Sequence, residues 1–239
     1  MNRAAFPRIF PFAIFMLFIG LEEVLYFAIG RGWITISDHF FLYLYPVKAG
    51  LVAISLVLLL KNFTEVRVAD LFRRISQTIF SISIGLVVFV LWIHMDWSFA
   101  VLGKPPGFNP SIVEEDSLRY FLTGSRLIGA VLVVPVMEEL FWRSFLIRYV
   151  IDPKFDAVPV GQFTWASFFL ISVLFGLEHS LILAGIMAGV AYNVVLYCTR
   201  SISQCILSHA VTNLALGIYV LNTGQWKFWQ VKWLSKMRC

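Results

Sequence analysis

The sequence predicts an all-α protein that crosses a membrane several times, and three observations support this class. Of its 239 residues, 59% are hydrophobic and only 14% are charged, whereas soluble domains carry about 25% charged residues. The mean hydropathy is +0.82. Several uninterrupted apolar runs reach the roughly 20 residues that a helix needs to span a bilayer. A closed β-barrel, the other spanning architecture, would show short segments of alternating polarity instead.

Seven apolar segments are long enough to cross the bilayer as helices. The segments are 9–30, 39–60, 76–94, 126–148, 163–179, 181–199 and 201–222. The predicted fold is therefore an all-α, polytopic membrane helix bundle of about seven transmembrane helices, within a range of six to eight.

The connections and the two ends divide the chain into three parts. The first, 1–125, contains the N-terminal transmembrane helices and a long connecting loop, 95–125. The Pro- and Gly-rich part of this loop cannot continue a helix, and the rest is expected to form a surface helix. The second part, 126–222, is a helical core. The third, 223–239, alternates Trp and Lys and is predicted to be a basic aromatic tail at the membrane interface.

The net charge is +5, but the basic residues lie between the apolar segments. Contacts with lipid headgroups and control of orientation explain this distribution, so we expect the lipid bilayer, and not nucleic acid, as the partner. With the N-terminus inside, nine basic residues before the tail face inward and four outward, which favours that orientation. The four basic residues of the tail would then lie outside and narrow the difference to nine against eight.

Three charged residues interrupt the fourth apolar segment, in the stretch VVPVMEELFWRSFL at 133–146. Placing Glu138, Glu139 and Arg143 at a helix centre in lipid costs roughly 8–10 kcal/mol, whereas the mostly apolar residues before them favour insertion by only about 3–4 kcal/mol. This face of the helix must therefore pack against other helices or line a watery cavity.

The spacing of these residues distinguishes the two glutamates. Glu139 and Arg143 are four residues apart, share a helix face and can form an ion pair. Glu138 lies about a quarter turn away with no partner on its own helix, so one carboxylate is predicted to be structural and the other free. Pro135 is expected to bend the helix at this point. A buried ion cluster that only fixes helix packing is the alternative for all three charged residues.

Two further apolar segments carry polar groups that membrane helices rarely hold. His179 lies at the end of the fifth segment, one turn after Phe175, and His209 and Asn213 are four residues apart in the seventh. Each histidine by itself could simply form a hydrogen bond between helices. Because three segments each present an ionisable or amide group, and such groups need partners, we expect them to meet in one site.

Together these motifs resemble those of the CPBP family, which comprises intramembrane CAAX prenyl endopeptidases and bacteriocin-processing proteins. The family pattern is Glu-Glu-x-x-x-Arg, Phe-x-x-x-His and His-x-x-x-Asn or Asp on successive core helices. The chain matches it, in order, with Glu138-Glu139-x-x-x-Arg143, Phe175-x-x-x-His179 and His209-x-x-x-Asn213. The resemblance extends over about 120–222, and the first three segments show no family motif.

Two smaller features complete the resemblance. A second acid pair, in LEEVLY at 21–26, lacks the arginine of the motif because position 27 is Phe, and we interpret it as a helix-end acid pair. The chain length and the long loop before the first motif resemble the bacterial CAAX-protease-related proteins that accompany exosortase sorting systems. That narrower resemblance implies a multi-pass integral protein of the bacterial plasma membrane.

The resemblance implies an intramembrane endopeptidase that cleaves a membrane-anchored protein or peptide, prenylated substrates included. It makes Glu138 the catalytic carboxylate that activates a water, with His179 holding or sharing the proton. His209 and Asn213 would donate hydrogen bonds to the oxyanion of the tetrahedral intermediate. The resemblance assigns supporting roles to Glu139, Arg143 and Phe175.

Several alternatives stay open. No cofactor is expected for glutamate chemistry. The competing interpretation is a zinc metalloprotease with Glu138, His179 and His209 as ligands. The chain has no HExxH motif, and Asn213 is a poor zinc ligand, so glutamate chemistry is favoured. A membrane accessory, immunity or sorting-system protein would have no proteolytic role. A small transporter is disfavoured because no inverted repeat is present. Glu178, beside His179, is predicted to face elsewhere on its helix and to be structural.

Overall fold

The computed structural model describes residues 4–101 and 107–229, with only the backbone at 38 and 39. These residues form helices and connecting loops, and an isolated β-bridge joins Val101 to Leu181. The Pro- and Gly-rich positions 103–106 and most of the predicted tail, 230–239, lie outside the described residues.

Eight helices are numbered here in chain order. They are α1 (Phe6–Gly30), α2 (Asp38–Leu58), α3 (Ala69–Arg73), α4 (Ile75–His94), α5 (Asp116–Ile151), α6 (Trp165–Leu177), α7 (Ile182–Thr199) and α8 (Ile202–Thr223). Among the described residues, six helices are long and apolar enough to cross a membrane, and α3 and α6 are not among them. The chain is therefore a multi-pass, all-α membrane protein, as predicted.

The fifth predicted span differs from the structure. The apolar segment 163–179 forms only the 13-residue helix α6, which at 1.5 Å per residue is about 20 Å long and shorter than the roughly 30 Å hydrocarbon core. The helix begins where the Thr164 hydroxyl accepts a hydrogen bond from the Ser167 N–H, and it ends at Leu177. His179 consequently lies in the turn after α6 and not on it.

Helix α5 is longer than predicted and runs through the middle of the bundle. The expected surface helix is continuous with the fourth span, so one 36-residue helix replaces two elements. It contacts α1, α2, α6 and α8. The boundary that the sequence suggested between 125 and 126 falls inside α5, and the division into domains stays a prediction.

Two π-helical turns, at Gly129–Val133 and Leu140–Leu146, flank the acid pair in α5. Pro135 follows the first of them and has no N–H for the helix ladder. Such turns widen a helix locally and are often found at functional sites. Here they bracket Glu138 and Glu139 within the six-residue α-helical stretch Val134–Glu139.

Glycines bring α6 and α7 into backbone contact. A Cβ atom added at Gly185 would lie 2.9 Å from the Gly176 Cα, and one added at Gly189 would lie 2.9 Å from the Ser172 carbonyl oxygen. Small residues at such crossings let membrane helices approach closely. This approach places Phe175 of α6 against Tyr192 of α7, where their rings are 6.0 Å apart.

The acid pair in α1 is not at a helix end, contrary to expectation. Helix α1 continues to Gly30, so Glu22 lies in its interior. The Glu22 carboxylate is buried and receives a 2.9 Å hydrogen bond from the Lys48 ammonium of α2. An isolated charge in a bundle interior needs such a partner, and this ion pair joins the first two helices.

Candidate active site

The Arg143 guanidinium is fully buried and its charge is satisfied on several sides. It donates to Glu139 Oε1 at 3.1 Å, to Asn193 Oδ1 at 3.2 Å and to the Gly189 carbonyl oxygen at 3.3 Å. Its Cζ atom also lies 4.4 Å from the centre of the Phe175 ring, a cation–π contact. The ion pair expected between Glu139 and Arg143 is therefore present, and Arg143 fastens α5 to α6 and α7.

Glu139 also orients His209 from α8. Its Oε1 atom lies 3.0 Å from His209 Nδ1, and because a carboxylate only accepts, that ring nitrogen carries the hydrogen. One face of the imidazole packs on the Tyr192 ring, which stacks on it with the ring centres 4.8 Å apart and an interplanar angle of 21°. The imidazole is thus held on its edge and on its face, with Nε2 as its acceptor nitrogen.

Glu138 differs from Glu139 in its surroundings. In the described part of the chain, the contact of its carboxylate with an ionisable nitrogen is to His209 Nε2, 3.9 Å from Glu138 Oε2. That oxygen has no hydrogen-bond partner among the described residues. Glu138 instead lines a cavity of about 190 Å³ between the helices. One glutamate is committed to the ion cluster and the other faces open space, as the helical spacing suggested.

The cavity brings together the residues of all three motifs. Its lining includes Glu138, His179, His209 and Asn213, the four predicted catalytic residues. These side chains come from α5, from the turn after α6 and from α8, so they meet only in the folded chain.

His179 is positioned by the end of α6. Its backbone N–H bonds to the Gly176 carbonyl oxygen at 3.0 Å, and its Nδ1 lies 2.8 Å from the Phe175 carbonyl oxygen. A carbonyl oxygen only accepts, so Nδ1 carries the hydrogen and Nε2 is the acceptor. The ring packs on Phe175 at 4.9 Å and meets Trp92 of α4 edge-on at 5.3 Å. Among the described residues, His209 has nitrogen atoms within 4.0 Å of carboxylate oxygens of both Glu138 and Glu139, and His179 has no such contact.

Asn213 connects α8 to the first π-helical turn of α5. Its Nδ2 donates a 2.7 Å hydrogen bond to the Ala130 carbonyl oxygen. An amide nitrogen carries two hydrogens, so one N–H of Asn213 holds the helix and the second is left for another acceptor in the cavity.

The prediction that Glu178 faces away from the site is wrong. Glu178 lines the cavity beside His179, and its Oε2 accepts a 2.9 Å hydrogen bond from the Trp142 indole. The helical spacing used for the prediction does not apply, because α6 ends at Leu177 and the chain turns before Glu178. The cavity therefore contains two carboxylates, from α5 and from this turn.

Several residues of the site carry no signal in the three motifs. Tyr192 of α7 stacks on His209, and Asn193 of α7 accepts a hydrogen bond from Arg143. A single Tyr-Asn pair in an apolar helix matches no motif, so the sequence did not indicate these two residues. Lys48 of α2 and Arg126 of α5 also line the cavity. Lys48 could have been noticed as a lone cation inside the second apolar segment, which usually marks a buried partner or a functional site.

The arrangement of potential ligands does not match the zinc site that the sequence left open. In the part of the chain that the structure describes, no three His, Cys, Asp or Glu side chains converge closely enough to hold a metal ion. His209 directs its Nδ1 hydrogen to Glu139. Among the described residues, no hydrogen bond or ion pair joins His179 to Glu138. Metal-independent chemistry stays a prediction.

Comparison with known proteins supports the motif-based interpretation. Residues 120–215 match the family model of the Rce1-like type II CAAX prenyl endopeptidases. That stretch contains every motif residue from Glu138 to Asn213, so the resemblance to the CPBP proteases is confirmed there. No curated protein and no solved structure matches the chain. The narrower resemblance to the exosortase-associated group stays a prediction, as does a bacterial plasma membrane location.

Proposed function

We propose that this chain, which is Rce1-like over residues 120–215, is an intramembrane endopeptidase. Its substrate is a membrane-anchored protein or peptide, prenylated substrates included, and its reaction is hydrolysis of a peptide bond by water that Glu138 activates. The observation that carries the proposal is the Glu138 carboxylate, which faces a cavity inside the bundle beside the oriented imidazole of His209.

The first step is attack of water on the scissile carbonyl. Glu138 takes one proton from the water while the water oxygen bonds to the carbonyl carbon. The π electrons of the carbonyl move to the carbonyl oxygen, which becomes the oxyanion. When the tetrahedral intermediate collapses, the C–N bond breaks and the proton held by Glu138 passes to the leaving nitrogen. The products are a free carboxyl group and a free amine, and Glu138 is again a carboxylate.

The oxyanion needs hydrogen-bond donors during this reaction. Asn213 can supply the N–H that does not bind the Ala130 carbonyl oxygen. His209 can donate from Nε2 only as an imidazolium, because its Nδ1 hydrogen is directed to Glu139. Glu139 accepts the Nδ1 hydrogen and so holds the ring in one orientation, as the buried carboxylate of a catalytic triad does.

The distances support His209 as the imidazole that shares a proton with Glu138. Its Nε2 is 3.9 Å from the Glu138 carboxylate, whereas no ion pair of the described residues joins His179 to Glu138. We therefore assign His179 to the binding of water or of the substrate, through its acceptor Nε2. The assignment made from the resemblance, with His179 as the proton partner of Glu138, is the competing one.

Cleavage by the purified full chain in detergent tests the proposal. A fluorogenic prenylated peptide and a mixed library of membrane peptides are incubated with the wild type, with Glu138→Gln, and with the wild type plus a zinc chelator. We expect cleavage that Glu138→Gln abolishes and the chelator leaves intact. Loss with the chelator and recovery on adding zinc would instead identify a metalloprotease. A folded wild type that cleaves no peptide in the library would support a non-proteolytic accessory role.

A further inference from the structure

Trp92, near the end of α4, brings an unpaired hydrogen-bond donor to the wall of the cavity. Its side chain lines the cavity together with those of Glu138 and His179. The indole Nε1 is buried and has no hydrogen-bond partner among the described residues. An indole N–H only donates, and a buried donor that lacks an acceptor destabilises the fold. The Trp92 N–H therefore needs an acceptor that enters the cavity from outside the chain.

A second indole near the cavity has a partner of its own. The Trp142 N–H donates a 2.9 Å hydrogen bond to Glu178 Oε2. In the part of the chain that the structure describes, Trp92 has no such acceptor, and its ring instead meets His179 edge-on with the ring centres 5.3 Å apart. Ring packing alone does not explain an indole here, because a phenyl ring would fill the same contact without an unpaired N–H.

Two acceptors of the same cavity complement this donor. Glu138 Oε2 has no hydrogen-bond partner among the described residues. His179 uses its backbone N–H and its Nδ1 in hydrogen bonds, so Nε2 is the acceptor that it offers. A buried water typically makes about three hydrogen bonds to polar groups that would otherwise be unsatisfied. One water can therefore accept from Trp92 and donate to His179 and Glu138, and the cavity of about 190 Å³ has room for it.

The ring contact brings Trp92 and His179 within reach of one shared water. Two hydrogen bonds of about 2.9 Å, joined at a water, span up to about 6 Å, and the two ring centres are 5.3 Å apart. A water that accepts one hydrogen bond and donates two keeps one lone pair free. That lone pair is the one that attacks a carbonyl carbon.

We infer that Trp92 is a further catalytic residue, whose indole N–H and the Nε2 of His179 together hold the water that Glu138 activates. The inference rests on the proposed function and deepens it. During the attack one water proton passes to Glu138 and the water oxygen bonds to the carbonyl carbon. The other proton stays on that oxygen, and the indole and the imidazole finish the step unchanged.

The indole NMR signal of Trp92 tests the water contact without requiring turnover. The full chain, purified in detergent, is labelled with ¹⁵N at the indoles of its eight tryptophans, and Trp92 is assigned as the signal that Trp92→Phe removes. We expect magnetisation transfer from water to this N–H, and its loss in His179→Phe, which keeps a ring but removes the acceptor. Trp142 is the internal control, because its N–H is bonded to Glu178 and should not respond to His179→Phe.

Peptide cleavage tests the catalytic role of the same N–H. Trp92→Phe should lower kcat roughly two- to tenfold, the typical effect of one neutral hydrogen bond, and leave KM unchanged because the N–H contacts the water and not the peptide. Replacing Trp92 by 3-benzothienylalanine, which has the indole shape with sulfur in place of the N–H, should give the same loss. Trp97→Phe is the matched control and should keep the wild-type kcat, since Trp97 is 48% exposed and does not line the cavity.

Three results would overturn the inference: a Trp92 signal without water contact, a benzothienyl variant with the wild-type kcat, or a loss confined to KM. The second would show that the shape of the indole matters and not its N–H, and the third would assign the N–H to the peptide. Cleavage that depends on Glu138 would still support the proposed function in each case. A wild type that cleaves no peptide would instead contradict the proposed function, and the catalytic role of Trp92 would fall with it even if its N–H contacts water.

Discussion

At the scale of single residues, two adjacent glutamates have different surroundings. Glu139 is fully buried and receives hydrogen bonds from Arg143 and His209. Glu138 is 8% exposed and faces the cavity. Glu139 is therefore held in place by its hydrogen bonds, whereas the side chain of Glu138 borders the cavity, where a water or a substrate can reach it.

Substitution of Glu138 should separate activity from stability. Glu138→Gln keeps the shape of the side chain and removes the base, so we expect a fall in kcat/KM of about 10²–10⁴ and no decrease in the melting temperature. Kinetics and thermal unfolding in detergent measure the two effects. Glu178→Gln, in the same cavity, is the control and should retain most of the activity. Equal losses in both variants would contradict the assignment of the base to Glu138.

Substitution of Arg143, in contrast to that of Glu138, should lower the stability of the fold. Arg143→Met leaves the buried Glu139 without its cation, and removing one partner of a buried ion pair typically destabilises by about 3–5 kcal/mol. A large decrease in melting temperature is therefore expected, measured by thermal unfolding in detergent. The double variant Glu139→Gln/Arg143→Met removes both charges and should recover part of the loss. A single variant as stable as the wild type would show that the cluster does not hold the bundle together.

At the scale of helices, the close contact between α6 and α7 positions the Phe175 and His179 motif of the candidate site. Glycines allow this contact, and it places Phe175 and His179 beside α7. The site therefore depends on backbone packing at positions that carry no functional group. The π-helical turns of α5 act similarly, since the first of them supplies the Ala130 carbonyl oxygen that binds Asn213.

Gly176→Ala tests this dependence. The added Cβ atom would lie 2.3 Å from Ile186 Cγ1 and 2.7 Å from the Ile186 nitrogen, so the helices must move apart. We expect a melting temperature lower by several degrees and reduced cleavage, since His179 moves with α6. Gly124→Ala in α5 is the matched control, because nothing lies within 4 Å of its added Cβ. There the substitution should be neutral or slightly stabilising, and similar losses in both variants would exclude the packing explanation.

At the scale of the whole molecule, the N-terminal helices are joined to the helix that carries the acids. The Arg8 guanidinium of α1 binds both oxygens of Glu65, at 2.7 and 2.6 Å, and also reaches the Ser144 hydroxyl of α5 at 3.1 Å. The Ser144 hydroxyl in turn donates to Glu65. Glu65 lies in the loop after α2, so this cluster connects three separate parts of the chain.

The cluster makes the stability dependent on pH. Burial raises the pKa of Glu65, but hydrogen bonds from Arg8 and Ser144 and the charge of Arg8 outweigh it, and the pKa is held below 4.5. A lowered pKa in the folded state means that ionised Glu65 stabilises the fold above about pH 4.5 and that this contribution is lost as the pH falls through the lowered value.

Glu65→Gln should therefore melt at a lower temperature than the wild type near pH 7. The difference should shrink as the pH is lowered below about 4.5, because the wild-type carboxylate is then protonated as well. Thermal unfolding of both proteins across this pH range measures the effect. A difference that stays constant down to the lowest pH would show that the charge of Glu65 contributes nothing to stability.

Much of the fold, and the meeting of the motif residues at one cavity, could be predicted from the sequence, for reasons of local chemistry. Uninterrupted apolar runs determine which segments enter the membrane, because lipid leaves backbone groups no partner except their own helix. The spacing of Glu139 and Arg143 predicted their ion pair, since residues four apart on a helix are neighbours. The placement of Glu138, His179, His209 and Asn213 around one cavity follows from the need of buried polar groups for partners.

What the sequence by itself determined was thus the class of the protein, its motifs and the pairing within one helix. Only the tertiary structure decided that α6 ends at Leu177 and turns Glu178 into the cavity, that Glu22 is paired with Lys48, and that His209 is the imidazole beside Glu138. Arg126 likewise joins the cavity only through the packing of α2 against α5. The physical reason is that contacts between helices depend on crossing angles and helix ends, which result from packing of the whole bundle and leave no periodic trace along the chain.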